Sequence, residues 1–197
     1  MADDDVRDPL TLLADDRARA RERDDPCASL CTLASVDAAG HPQARTLVLR
    51  DVDDRLAVFG NETSPKWQQM ATAASLAVVV WLPTLQVQYR LQCTTRPVPK
   101  PRVHESWLLR PETPKRLDWF YTREAAQSTA VASREALLAK LEGLTLREPL
   151  LAPRTAAGVF LEPAAIERLD LATDDGVHDR VLYRRQADGW HTVTLVP

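Results

Sequence analysis

The sequence predicts a mainly β protein with added helices, an antiparallel barrel carrying helical decoration. Two observations predict it. Much of the chain divides into short runs of β-branched and apolar residues bounded by Gly, Pro, Asn and Asp. Helical patterns stand at the start and between strands, and no segment repeats. A chain of 197 residues fits one domain with helical additions and can bury a core without staples. The expected organisation is a single domain over 1–197. Residues 1–26 form an N-terminal helical extension, and 155–197 supply C-terminal strands that complete the barrel and its site.

The elements follow in order. Residues 8–24 read as a helix, with Asp8 as cap, Pro9 at the first helical position and Pro26 as the stop. Residues 28–36 and 42–51 read as two strands joined by a turn at Asp37 to Gly40, a hairpin signal. A second turn at 52–55 leads to a strand at 56–59. Asn61-Glu62-Thr63-Ser64-Pro65 is a loop that opens a helix over 66–74, with Ser64 as cap. Residues 76–82 form a strand of nearly continuous apolar character, and 85–93 alternate as a second one. Residues 97–101 are a proline-rich connector. Helices are expected over 103–109, stopping before Pro111, and over 134–141. Residues 145–154 are loop, and 159–166, 181–185 and 190–196 are the last strands.

Charged residues make up 27% and the net charge is -3, so no global basic field draws the chain to nucleic acid or an anionic membrane. The longest apolar stretch, 76–82, is too short to span a bilayer. Cys27, Cys31 and Cys93 lack the second pair that a zinc site needs, so no metal is expected. The acidic start, Met1-Ala2-Asp3-Asp4-Asp5, is opposite in charge to an export leader, and the expected location is the cytoplasm. A glycine-rich phosphate loop, a His-Glu-x-x-His helix and a Gly-x-Ser-x-Gly elbow are all absent. The five tryptophans are scattered, which suits core or interface better than a base-stacking ladder.

Several residue groups suit a flat anionic ligand. In the run Arg45-Thr46-Leu47-Val48-Leu49-Arg50, alternate side chains face opposite ways. Two arginines bracketing an apolar run can each hold an anion while the backbone lies along a flat ring; an edge strand with charged ends would carry the same letters. Ser64-Pro65-Lys66 offers a hydroxyl, an ammonium and helix-start amides, a set suited to phosphate and equally to simple capping. The amide of Gln88 can donate and accept, as a flavin edge requires, or can sit half-exposed on a strand. Gln127-Ser128 and His178-Asp179-Arg180 are polar groups of the same ambiguous kind.

Taken in order, these groups, with Trp190 and a terminal Leu195-Val196-Pro197, resemble the pyridoxamine 5'-phosphate oxidase family over residues 28–197. The resemblance implies an FMN-binding split β-barrel, working as a homodimer with FMN at the subunit interface and a small-molecule substrate. It implies that Arg45, Thr46, Leu47, Val48, Leu49 and Arg50 lie along FMN, and that Gly60, Ser64, Lys66, Gln88, Gln127, Ser128 and Arg180 also bind it. Gln88, Gln127 and Ser128 are implied to reach it across the dimer. Arg110 and His178 correspond to substrate-binding positions. Other family positions differ. Pro65 stands for an arginine of the phosphate motif, Gly176 for a substrate arginine, and Ser106 and Pro114 for a tyrosine and a serine that hold the substrate phosphate. The resemblance therefore implies an FMN-dependent oxidoreductase with another substrate. Its alternatives are a genuine pyridoxamine or pyridoxine 5'-phosphate oxidase, or a non-catalytic flavin or haem binder, for which the four histidines supply no evident axial ligand. No catalytic residue is assigned.

Overall fold

The computed structural model describes residues 7–73, 75–147 and 149–197. Among the described residues, nine strands, all in antiparallel pairs where their register is defined, belong to one sheet, with five helices. By contacts the chain divides into two compact units. The first comprises Met1–Arg50, Ala73–Thr94 and Leu161–Pro197; the second comprises Asp51–Thr72 and Thr95–Phe160.

The first unit starts with helix α1, Pro9–Glu22. Asp8 caps it through its carboxylate, which accepts from the Leu10 amide at 2.8 Å, and Pro9 occupies the first turn. Strands β1 (Leu30–Val36) and β2 (Pro42–Val48) form the predicted hairpin, and β1 also pairs with β5 (Leu76–Leu82). β5 in turn pairs with β6 (Val87–Pro97). β6 starts two residues later than the alternation suggests, because Gln86 has φ +54° and closes the turn. The later part of β7 (Ala156–Asp170) carries β8 (Asp179–Gln186), which carries β9 (Gly189–Thr194). Leu13, Leu33, Val78, Val80, Leu82, Leu91 and Ile166 fill the core of this unit.

The single strand expected over 42–51 is two strands, β2 and β3 (Arg50–Val52). The break falls at Leu49. Its amide donates to Ser29 O at 2.9 Å, and its carbonyl accepts from Arg17 Nη2 at 3.0 Å. Both groups of that peptide are therefore satisfied outside the regular ladder.

In the second unit, β3 turns into β4 (Arg55–Asn61) through Asp53 and Asp54 at φ +50° and +56°, the paired left-handed residues of a tight hairpin. β4 pairs with the first part of β7. There Gly158 is obligatory, since an added Cβ would lie 2.6 Å from the Phe59 ring. Helix α2 spans Pro65–Thr72; the expected end of this helix at Ala74 lies outside the described residues. Helix α3 (Lys100–Leu108) begins earlier than predicted, because Pro101 sits in the first turn, where a missing amide costs nothing. Helix α4 (Glu112–Arg123) is not anticipated by the sequence pattern, whereas α5 (Arg134–Glu142) is. Ala57, Val98, Val103, Trp107, Ala156 and Phe160 form the core here.

Candidate functional site

The second unit gathers a compact anion cradle at the start of α2. The β4 strand ends at Asn61, which is 1% exposed. Its carbonyl accepts from the Ser64 amide at 3.1 Å and its side-chain oxygen from the Thr63 amide at 3.0 Å, which fixes the turn. Ser64, 2% exposed, directly precedes Pro65, the first residue of α2. Lys66 folds back from the first turn. Its ammonium donates to Ser64 Oγ at 3.0 Å and to Gln127 Oε1 at 3.2 Å. The Gln127 amide donates to Thr63 Oγ1 at 3.2 Å. Gly60 provides the room for this arrangement, because an added Cβ would stand 3.3 Å from Lys66 Cε. Ser128 adopts φ +73°, which turns the chain immediately after Gln127.

The structure thus brings together Gly60, Ser64, Lys66 and Gln127, with Lys66 and Gln127 in contact across 61 residues of sequence. Within its own chain, Gln127 lies against Lys66. A buried hydroxyl, an ammonium and the amide end of a helix suit a phosphate.

Behind the cradle lies a second polar layer. Asn61 Nδ2 donates to the Asp118 carbonyl at 3.2 Å. The Asp118 carboxylate, 3% exposed with its residue, accepts from Arg110 Nη1 at 2.5 Å. Burial pushes the Asp118 carboxyl above the usual carboxylate value, while Arg110 and then Lys66 draw it back. Arg110, expected at the substrate, is therefore held in an internal ion pair. Asn61, Thr63 and Asp118 were not singled out from the sequence. Asn61 carried the signal of a polar residue opening a turn; a buried acid on α4 carried none.

The remaining candidates belong to the first unit. Along β2, Gln43, Arg45 and Leu47 are half-buried while Thr46 and Val48 face outward. Arg45 donates to Ser35 Oγ at 2.6 Å, and its burial lowers its pKa. Leu49 is 2% exposed, and Arg50 is half-buried in β3. Gln88 lies on β6 opposite Trp81. Arg180 donates to Glu167 Oε1 at 3.1 Å and to the Val196 carbonyl at 3.3 Å. His178 is exposed in the turn after Gly176, whose φ is +73°.

This architecture defines an antiparallel split-barrel protein, and solved structures show the same fold. PhzG from Burkholderia lata 383, in complex with tetrahydrophenazine-1-carboxylic acid, matches with a TM-score of 0.81 at 23% identity, over 99% of this chain and 95% of that one. In sequence, residues 12–98 match the pyridoxamine 5'-phosphate oxidase FMN-binding domain. Two similar relatives are both named pyridoxine/pyridoxamine 5'-phosphate oxidase. The Thermosynechococcus vestitus protein is 31% identical over 84% of this chain and 78% of its own length. The Anaeromyxobacter dehalogenans protein is 27% identical over 96% of each. The chain belongs to the pyridoxamine 5'-phosphate oxidase family of FMN-binding proteins. Among the described residues, no helix is long and apolar enough to cross a membrane.

Proposed function

We propose that the protein is an FMN-dependent oxidoreductase, working as a homodimer, whose substrate is not pyridoxamine 5'-phosphate. The observation that carries this reading is the cradle in which Lys66 joins Ser64 and Gln127 at the start of α2. Its donors fit the phosphate end of FMN. Lys66 and Ser64 would hold that phosphate. The family resemblance assigns Arg45, the peptides of Thr46, Leu47, Val48 and Leu49, and Arg50, Gln88, Ser128 and Arg180 to the same cofactor in the assembled dimer. When bound, FMN supplies the two-electron chemistry. The protein's part is to bind, orient and exclude water.

A two-fold assembly is supported by the outward face of the first unit. Residues paired in register there include Thr32 with Thr46 and Ala34 with Ala44. Val36, Val48 and Trp81 on this face are 53%, 51% and 38% exposed. The outward side of the β1–β2 hairpin, with its exposed apolar side chains, is suited to cover by a second copy.

The substrate positions argue against the vitamin phosphate. Pro114 offers no donor, Gly176 no charge, and Arg110 already has a carboxylate partner. Each missing charge-assisted contact weakens phosphate binding by about 1.5–3 kcal/mol. The names of the relatives favour the rival reading, a genuine pyridoxine/pyridoxamine 5'-phosphate oxidase. Oxygen consumption by the FMN-loaded protein with pyridoxamine 5'-phosphate decides between them. The proposal expects none above background, and turnover at the rate of a family oxidase would overturn it. Tetrahydrophenazine-1-carboxylic acid, the ligand of the Burkholderia lata protein, is a rational second compound to assay.

A further inference from the structure

Asp118 is a buried acid that enters the proposed function only as the partner of Arg110. It lies between two cations. Its carboxylate takes a hydrogen bond from Arg110 at 2.5 Å and is within electrostatic reach of Lys66. Its carbonyl accepts from Asn61 at 3.2 Å and from Thr122 Oγ1 at 2.7 Å, so both α4 and the cradle turn fix its position. The Arg110 side chain is 23% exposed, and its guanidinium lies 5.6 Å from the Trp107 ring centre.

Two positive charges therefore share one buried negative charge. A phosphate monoester brings almost two negative charges and needs several donors. Lys66 and Ser64, at the start of α2, can meet one such group. At the α3–α4 end, the Arg110 charge is already cancelled from within. A phosphate arriving there would have to displace a desolvated carboxylate from Arg110, or sit near it and be repelled. Ser106, four residues before Arg110, has a buried hydroxyl with no hydrogen-bond partner among the described residues, and one neutral hydroxyl adds no charge to this end.

We propose that Asp118 is a specificity-determining residue: by holding Arg110 in an internal ion pair it excludes a second phosphate, so that the substrate presents an uncharged group to α3 and α4. This rests on the assignment of the Lys66 cradle to the flavin phosphate.

The test compares two probes that differ only in a phosphate, pyridoxine 5'-phosphate and pyridoxine. Each is titrated calorimetrically, without oxygen, onto FMN-loaded protein. Wild type should bind the two with dissociation constants within about threefold. Asp118→Asn should tighten pyridoxine 5'-phosphate about ten- to a hundredfold and leave pyridoxine unchanged, the reverse of losing one charge-assisted contact. Arg110→Gln in the wild-type background should change neither. A wild-type preference of tenfold or more for the phosphate ester would overturn the proposal. So would a tenfold loss of that ester in Arg110→Gln, or an unchanged ratio in a folded Asp118→Asn. The wild-type and Arg110→Gln measurements decide the matter even if Asp118→Asn does not fold. Failure of the protein to load FMN would instead sink the flavin reading, and inorganic phosphate titrated onto the three unloaded proteins would still report on Arg110.

Discussion

Lys66 and Gly60 act as a pair. The lysine side chain crosses β4 at the one residue without a Cβ, and the added methyl of Gly60→Ala would stand 3.3 Å from its Cε. Lys66→Ala should weaken FMN binding about ten- to a hundredfold, read by flavin fluorescence quenching. Gly60→Ala should weaken it less. In a Lys66→Ala background Gly60→Ala should have no further effect, because its action passes through the lysine. Equal losses in both backgrounds would show that Gly60 touches the ligand directly. Asp25 gives a pH signature at the same scale. It is 7% exposed, and burial alone would raise its pKa. The Thr84 amide and hydroxyl and the Cys27 amide outweigh burial and hold it below the ordinary carboxylate value. The unfolded chain therefore takes up this proton more readily than the folded one. The stabilisation is complete above the ordinary carboxylate value and is lost as pH falls through the folded value. Asp25→Asn should lower the melting temperature at neutral pH and flatten its decline below about pH 4.

At the scale of elements, α1 is more than an extension. Arg17 is 1% exposed and donates from Nε to the Ala28 carbonyl at 3.1 Å and from Nη2 to the Leu49 carbonyl at 3.0 Å. Next to it, Asp16 accepts from the Tyr89 hydroxyl at 2.6 Å and from Arg168 Nε at 3.2 Å. One helical turn thus holds the β2–β3 break, β6 and β7. Arg17→Met strands two buried carbonyls and should cost about 2–4 kcal/mol in denaturant unfolding; a loss below about 0.5 kcal/mol would show that water replaces the guanidinium there. These contacts also explain which elements the sequence disclosed. β5 was legible to its end residues, because its outward positions Ala77, Val79 and Trp81 are as apolar as its buried ones, which leaves an unbroken apolar run. The β2–β3 break was not, because it depends on an arginine 32 residues away. Helix α4 was hidden because its buried positions are Asp118 and Phe120, which spoils the apolar period, and Pro111 and Pro114 read as breakers. In the site, the ordered motifs pointed to Ser64, Lys66 and Gln127, yet nothing in their letters shows that Lys66 touches Gln127. The ion pair that engages Arg110 was invisible for the same reason: it is made by the fold.

For the whole molecule, the proposed function requires a dimer that holds flavin. A lysine placed at Val48, on the uncharged outward face of β2, should give monomers by light scattering and lose bound FMN with them. Dimers that keep FMN would move the interface elsewhere. The central claim remains that a cationic cradle at the head of α2 grips the phosphate of a flavin. Its most direct measurement is the visible spectrum of the wild-type protein after incubation with FMN and removal of the excess. Oxidised-flavin bands should co-elute with the protein, with a dissociation constant of about micromolar or tighter. A colourless protein, under conditions where it remains folded, would contradict it.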